Sequence, residues 1–329
     1  MFLLSAGEDI VTAMKAIYIT EFGGPEVMKY VDLPEPVATG NQVVLDVSAI
    51  GINYADTHQT ENSYLSSQKL PLIPGMEVVG KMPDGTRVLA LASTGGYCEK
   101  TLVNPRNVIP LPDGVSDGAA LSMMVQGTTA YMILKTMGHV KAGESVVVHA
   151  GAGGVGSIAI QLAKLWGAYV IAVTSSDEKK KLCKELGADA VVDAGEADLK
   201  AALIAANNGK EVDLVLEMVG GTTFDQSVEA LAPFGRIIFY GMASRKPPKA
   251  LHPGALMTKS QTLSGFWLVN ALANKDLMAE VFMDLFGMIL SGKLKPIVGA
   301  TYPLSQAATA HRDMLARKTV GKIVLDPKG

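Results

Sequence analysis

VVVHAGAGGVGSIA, residues 146–159, runs from an apolar stretch straight into a glycine turn and out into alternating small and apolar side chains. Gly151, Gly153 and Gly156 stand at the spacing G-x-G-x-x-G, with Gly154 and Val155 between the last two. Glycines are common in turns, so the spacing alone says little. Directly after a buried strand and opening a helix, it suits a dinucleotide pyrophosphate. The first glycine then permits the tight turn, the second lets backbone approach the phosphates, and the third lets the helix pack close to the sheet. The unpaired N–H groups and positive dipole end of the helix face the anion.

The surroundings supply that context. Apolar runs at 145–149, 169–174, 190–193, 213–217 and 236–240 alternate with helix-like segments near 157–166, 178–186, 197–208 and 223–232. Strands with little polar alternation, separated by amphipathic helices, predict a parallel sheet covered on both faces. Gly167 and Gly187 follow two of these helices at the position where a left-handed residue closes the last turn. Residues 14–131 read differently, as short strand-like runs such as NQVVLDVSAIGIN and TRVLALAS cut by LPEP, PDG and STGG. After a helical stretch at 271–291 the tail returns to strand, helix, strand. The expected organisation is an N-terminal extension at 1–13, a discontinuous β-rich domain at 14–131 and 276–329, and an inserted α/β domain at 132–275.

Composition narrows the function. The chain has 329 residues, with 29 basic against 32 acidic side chains, which leaves no electrostatic footprint for nucleic acid or an anionic membrane. Cys98 and Cys183 lie far apart with no CxxC or Cys/His cluster, arguing against a structural zinc or a disulfide framework and for a reducing, cytoplasmic setting. MFLLSAGEDIVTA lacks a basic n-region and carries two acids, a poor signal peptide, and no uninterrupted run of 18 apolar residues exists. A small-molecule substrate is the expectation.

The cofactor's second phosphate is read from the end of the next strand. An acid there bonds the ribose 2′-hydroxyl of NAD, whereas small or basic groups accommodate the 2′-phosphate of NADP. Here Thr174, Ser175 and Ser176 are followed by Asp177, Glu178 and Lys179, which favours NADPH, with Asp177 past the strand end and facing solvent. A plainer reading runs alongside: Ser175 or Ser176 caps the helix, the acids fill its first turn, and the lysines form a solvated face.

Several further stretches carry a family resemblance: FGGPEVMKY, GINYADTHQ, LPLIPGMEVVG, GTTAYMIL, HAGAGGVGSIAIQLAK, GRIIFYGMAS and the tail GKLKPIVGATYPLSQAATAHRDMLARKTVGKIVL. From Met14 onward the chain resembles the zeta-crystallin-like quinone oxidoreductases, zinc-independent members of the medium-chain dehydrogenase/reductases. The resemblance implies an α/β protein with a GroES-like catalytic domain split around a Rossmann doubly wound domain, an NADPH cofactor and a homodimer. Where zinc-dependent relatives carry a Cys and a His ligand, this chain has Asn53 and Met76. Zinc takes Cys, His or carboxylate, and His58, His139, His149, His252 and His311 show no ligand spacing, so no metal is expected.

Without a Lewis acid, alcohol oxidation gives way to electrophiles that accept hydride at a carbon conjugated to a carbonyl, where hydrogen-bond donors stabilise charge on oxygen. Quinones, enones, enals and 2-enoyl thioesters are of that kind. By resemblance, Tyr64 stands near the substrate oxygen, or else packs its ring on the domain face. Asn53 aligns with the family asparagine near the nicotinamide, or caps a turn; Asp56 reads first as a local cap. His58 replaces a cofactor-contacting tyrosine, its plain alternative being a lone exposed histidine, and Thr129 contacts the nicotinamide amide or is an ordinary helix residue. Tyr240, Gly241 and Met242 would lie near the adenosine or diphosphate. Phe266, Trp267 and Leu268 would lie over the nicotinamide end or pack at a dimer edge. Ala194 stands where relatives often stack a tyrosine near the adenosine phosphate, and KMPDG is shorter than the usual linker. Two other readings stay open: a 2-enoyl thioester reductase, suggested by GFWL and Tyr64, and a non-catalytic nucleotide-binding or RNA-binding protein, against which the acidic balance counts.

Overall fold

The computed structural model describes residues 12–63 and 65–329. The chain forms two compact units: one takes the chain up to Leu111 with Thr301–Arg317 and Val324–Gly329, the other Pro112–Ala300 with Lys318–Ile323.

The first unit is antiparallel. β1 (Ala13–Tyr18) pairs with β2 (Lys29–Pro34) as a two-stranded ladder. The longest strand, β3 (Val43–Ile52), shows why the segment is a strand: Leu45, Val47 and Ala49 are buried at every second position, while Asp46 points out. From Ala49 to Ile52 it is buried throughout, so the polar residue that follows, Asn53, enters the interior. β4 (Glu77–Lys81) and β5 (Arg87–Leu91) continue the sheet from β3, and β6 (Lys100–Val103) pairs with the first part of β3. β7 (Val108–Pro110) closes the edge on β5. Each fully buried Val, Leu or Ile contributes about 1.5–3 kcal/mol relative to exposure.

The second unit carries six strands: β8 (Ser145–His149), β9 (Tyr169–Thr174), β10 (Ala190–Asp193), β11 (Val212–Glu217), β12 (Leu231–Phe239) and β13 (Thr262–Gly265). They are ordered β10-β9-β8-β11-β12-β13 and every pairing is parallel. This is the doubly wound order 3-2-1-4-5-6, in which the order reverses beside the first strand and ligands bind beyond the carboxyl ends of the strands. Gly167 and Gly187 both have left-handed φ, +83° and +107°, closing helices Gly154–Leu165 and Asp177–Glu185 as the sequence suggests. Late in the chain, β14 (Val298–Pro303) and β15 (Lys322–Asp326) complete a seven-stranded sheet with β3, β4, β5, β6 and β7.

Residues 117–131 depart from the β-rich reading, and with 132–136 they are helical. They form helix Asp117–Ser122, capped by Ser116, which continues through π turns at Met123–Gly127 and Met132–Thr136 around the short α segment Thr128–Tyr131. Buried residues occur on nearly every side, Leu121, Met123, Met124, Ala130, Ile133 and Leu134 among them, so no amphipathic period marks the helix. It packs on helices Gly154–Leu165 and Lys275–Leu290. The Tyr131 ring stands edge-on to Trp166 at 5.5 Å, and its hydroxyl donates to Asp284 at 2.5 Å. These contacts place the start of the second unit at Pro112 and its long segment's end at Ala300, wider than the interval 132–275 drawn from sequence.

Candidate functional site

In the second unit β8 ends at His149, and the chain turns through Ala150 (φ +50°) into Gly151, whose N–H returns to the Val173 carbonyl at 3.0 Å. Gly153 is the N-cap of helix Gly154–Leu165 and, being a glycine, brings no capping side chain, which leaves the first N–H groups to be satisfied from outside the helix. A Cβ on Gly156 would stand 2.3 Å from the Ala150 carbonyl oxygen and 2.8 Å from the Gly151 Cα, both backbone, so the third glycine sets how closely helix and turn approach. Val155 sits half-buried in the first turn. An uncapped helix start lined by glycines fits a diphosphate.

Gly154 has a different neighbour. A Cβ there would meet the side-chain amide of Gln126 at 2.2–2.4 Å. The π turn Met123–Gly127 brings this buried amide onto the glycine turn, a residue that sequence reasoning missed. Its one sequence signal is position: it lies three residues before Thr129, and helical neighbours at i and i+3 share a face. Thr129 itself is buried in segment Thr128–Tyr131.

At the end of β9, Thr174 is buried and its carbonyl accepts from the Ala194 N–H. Ser175 is exposed. Ser176 caps helix Asp177–Glu185 by accepting from the Lys179 N–H at 3.4 Å, so the capping role is real. Asp177 points away, its side chain 95% exposed and 3.4 Å from Lys180, which also reaches Asp193 at 2.7 Å. Lys179 is half-buried beside Ser176.

The third part lies at the ends of β11 and β12. Glu217 is fully buried and its carboxylate accepts from the N–H groups of Val219 at 2.8 Å and Gly220 at 3.1 Å. Burial outweighs these bonds and pushes its pKa up to about 7. Tyr240 donates its N–H to the Glu217 carbonyl at 2.9 Å, and Gly241 packs against Met218. A Cβ on Gly220 would meet Met242 Cγ at 3.0 Å. Tyr240, Gly241 and Met242 are therefore held by the loop that Glu217 organises. Phe266 hydrogen-bonds the Phe239 carbonyl at 2.9 Å, and Phe266, Trp267 and Leu268 are half-buried, Leu268 opening a short helix to Leu272.

In the first unit Asn53 leaves β3 and is the N-cap of helix Tyr54–Glu61. Its backbone N–H donates to Asp56 Oδ2 at 2.8 Å and its amide Nδ2 to Glu77 Oε1 at 2.9 Å, with all three residues buried. Asp56 is thus the local cap expected. His58 corrects the picture of an exposed histidine: it is 3% exposed, hydrogen-bonded through Nδ1 to Ser63 Oγ at 2.9 Å, and edge-on to Tyr54. Asp56, Thr57, His58 and Thr60 are the buried residues of this helix, so the ring is covered. Tyr64 lies outside the described residues. Cys98 and Cys183 are buried free thiols, pushed up to about 12 and about 11 by burial. Among the described residues, no three His, Cys, Asp or Glu side chains converge as a metal ligand set, and no helix is long and apolar enough to cross a membrane.

Comparison with known proteins covers both units. Residues 39–113 match the family model of the alcohol dehydrogenase GroES-like domain and residues 154–285 that of the zinc-binding dehydrogenases. A pig quinone oxidoreductase is 30% identical over 95% of this chain and 97% of its own length. Among solved structures, the Thermus thermophilus quinone oxidoreductase, also determined with NADPH, is 37% identical with a TM-score of 0.84. A mycobacterial protein complexed with NADPH is 36% identical with a TM-score of 0.89. Each spans 95% of this chain and 100% of its own.

Proposed function

The chain belongs to the quinone oxidoreductase family of the medium-chain dehydrogenase/reductases, and we propose that it reduces quinones, and other carbonyl-conjugated electrophiles, with NADPH and without zinc. It is an NADPH-dependent oxidoreductase of GroES-like and Rossmann architecture. The observation that carries the cofactor reading is the uncapped helix start at Gly153, set in a turn where Gly156 admits no Cβ. The N–H groups of Gly154, Val155 and Gly156 hold the diphosphate. Ser175, Ser176 and Lys179 hold the 2′-phosphate, supported by the absence of an inward acid at Asp177. Tyr240, Gly241, Met242, Thr129 and Phe266–Leu268 line the remainder of the cofactor.

When bound, NADPH supplies a hydride from C4 of its nicotinamide. The protein's part is to orient the acceptor and offer hydrogen bonds to the oxygen that gains charge, roles assigned to Asn53 and Tyr64. A phenol is a competent donor there. Zinc independence is supported by the donor set: Asn53 offers an amide, one N–H of which goes to Glu77, and Met76 offers a thioether, neither of them ligands of a catalytic zinc. The enzyme acts in the cytoplasm as a homodimer, needs no nucleic acid, and carries β13, whose Thr262, Leu263 and Gly265 are exposed, as a free edge of its sheet for a second copy.

The decisive experiment follows NADPH absorbance with a panel of quinones, enones and a 2-enoyl-CoA. Quinone turnover is expected. Turnover of 2-enoyl-CoA alone would move the function to thioester reduction, and tight NADPH binding without turnover of any acceptor would end the enzymatic reading.

A further inference from the structure

A line of buried hydrogen bonds in the first unit ends on Asn53. It begins at His311 in the C-terminal helix Ala307–Leu315, whose Nε2 lies 2.8 Å from the Tyr97 hydroxyl, the two rings edge-on at 5.7 Å. Tyr97 donates to Asp56 Oδ2 at 2.9 Å, the same oxygen that accepts the Asn53 N–H at 2.8 Å. Glu77 takes the Asn53 amide from the other side at 2.9 Å. Tyr97 and Asp56 are wholly buried, and His311 is 1% exposed. The donors can be assigned. The Tyr97 hydroxyl donates its one hydrogen to Asp56, so the phenol oxygen must accept from His311. That puts the histidine's proton on Nε2 and leaves Nδ1, which has no hydrogen-bond partner among the described residues, as a bare lone pair.

Such a chain is expensive to leave incomplete and rigid once complete. Room for it is made at Gly75, φ +86°, where a Cβ would lie 2.2 Å from the Tyr97 ring. The ring therefore rests on Gly75 to reach Asp56. Burial holds His311 down to about 4, so the imidazole stays neutral in the working range.

We propose that Tyr97 and His311 are positioning residues for the reaction: through Asp56 they fix the backbone and orientation of Asn53, the group offered to the acceptor oxygen. This rests on the reading of Asn53 given above. Neither residue touches cofactor or substrate in this assignment; they act through Asn53 alone, and a misplacement of about 1 Å can cost as much as 100-fold in rate.

The test is a double-mutant cycle on quinone turnover with NADPH. Tyr97→Phe keeps the ring and removes the phenol donor, and is expected to lower kcat about tenfold with KM for NADPH unchanged. In an Asn53→Ala background the same change should alter kcat less than about twofold. His311→Leu should behave like Tyr97→Phe. His311→Gln, which can place an N–H near the position of Nε2, should restore most of the rate. Melting temperatures of all variants serve as the folding control, and the histidine pair carries the test if Tyr97→Phe does not fold. Equal losses in the two backgrounds would show a merely structural role and overturn the proposal. If Asn53→Ala is impaired but Tyr97→Phe and His311→Leu are not, the relay fails and the Asn53 reading survives. Wild-type turnover by Asn53→Ala overturns both.

Discussion

Three buried titratable groups make the stability of this enzyme depend on pH in a direction that can be worked out. His149, at the end of β8, bonds Ser227 Oγ through Nε2 at 2.9 Å, and His311 bonds Tyr97. Burial lowers both imidazoles from 6.5 to about 4. Glu217 moves the other way, raised from 4.5 to about 7, again by burial. Between about pH 5 and 6 each histidine is protonated in the unfolded chain and neutral in the fold, so each makes stability rise with pH and fall on acidification. Glu217 is protonated in the fold and ionised when unfolded over the same interval, so its contribution is full below its unfolded pKa and declines as pH rises toward about 7. Two protons against one leave a net of one, and stability should rise by roughly 1 kcal/mol per pH unit across this interval. Urea unfolding at about pH 5 and about pH 6 measures it as a shift in midpoint at constant m. Glu217→Gln removes the opposing group and should steepen the dependence to about two protons. A midpoint that falls from about pH 5 to 6, or a slope unchanged in Glu217→Gln, would refute the assignment of burial as the dominant cause.

Other consequences follow from the turn and its neighbours. Gly156→Ala drives a Cβ into the Ala150 carbonyl, and since backbone cannot rotate away, it should lose about 1–3 kcal/mol of stability by urea unfolding together with NADPH affinity by titration calorimetry. Gly154→Ala meets only the flexible Gln126 amide, so stability should change less while the affinity for NADPH drops. Lys179→Ala should weaken NADPH about tenfold and NADH hardly at all, by fluorescence titration; equal effects would remove the 2′-phosphate assignment. A zinc chelator should leave quinone turnover unchanged when NADPH oxidation is followed before and after treatment.

What the chain's order of residues determined is whatever depends on local period and on special backbone positions. Uninterrupted apolar runs between amphipathic helices read out as the parallel strands β8 to β12, because a strand buried on both faces has no polar alternation to hide. The glycine spacing at Gly151, Gly153 and Gly156 was legible for the same local reason, and so were Gly167, Gly187 and the Ser176 cap. Residues 117–136 escaped because a helix buried on nearly all sides has no face to betray it, and its π turns follow from packing against helices Gly154–Leu165 and Lys275–Leu290. Tertiary structure alone decided that Gln126 lies on Gly154, that His58 is covered, and that Glu217 is buried with its charge suppressed. It alone brought Tyr97 and His311, 214 positions apart, to 2.8 Å. Burial and long-range hydrogen bonding are properties of which segments meet, and no window of neighbouring residues contains both partners.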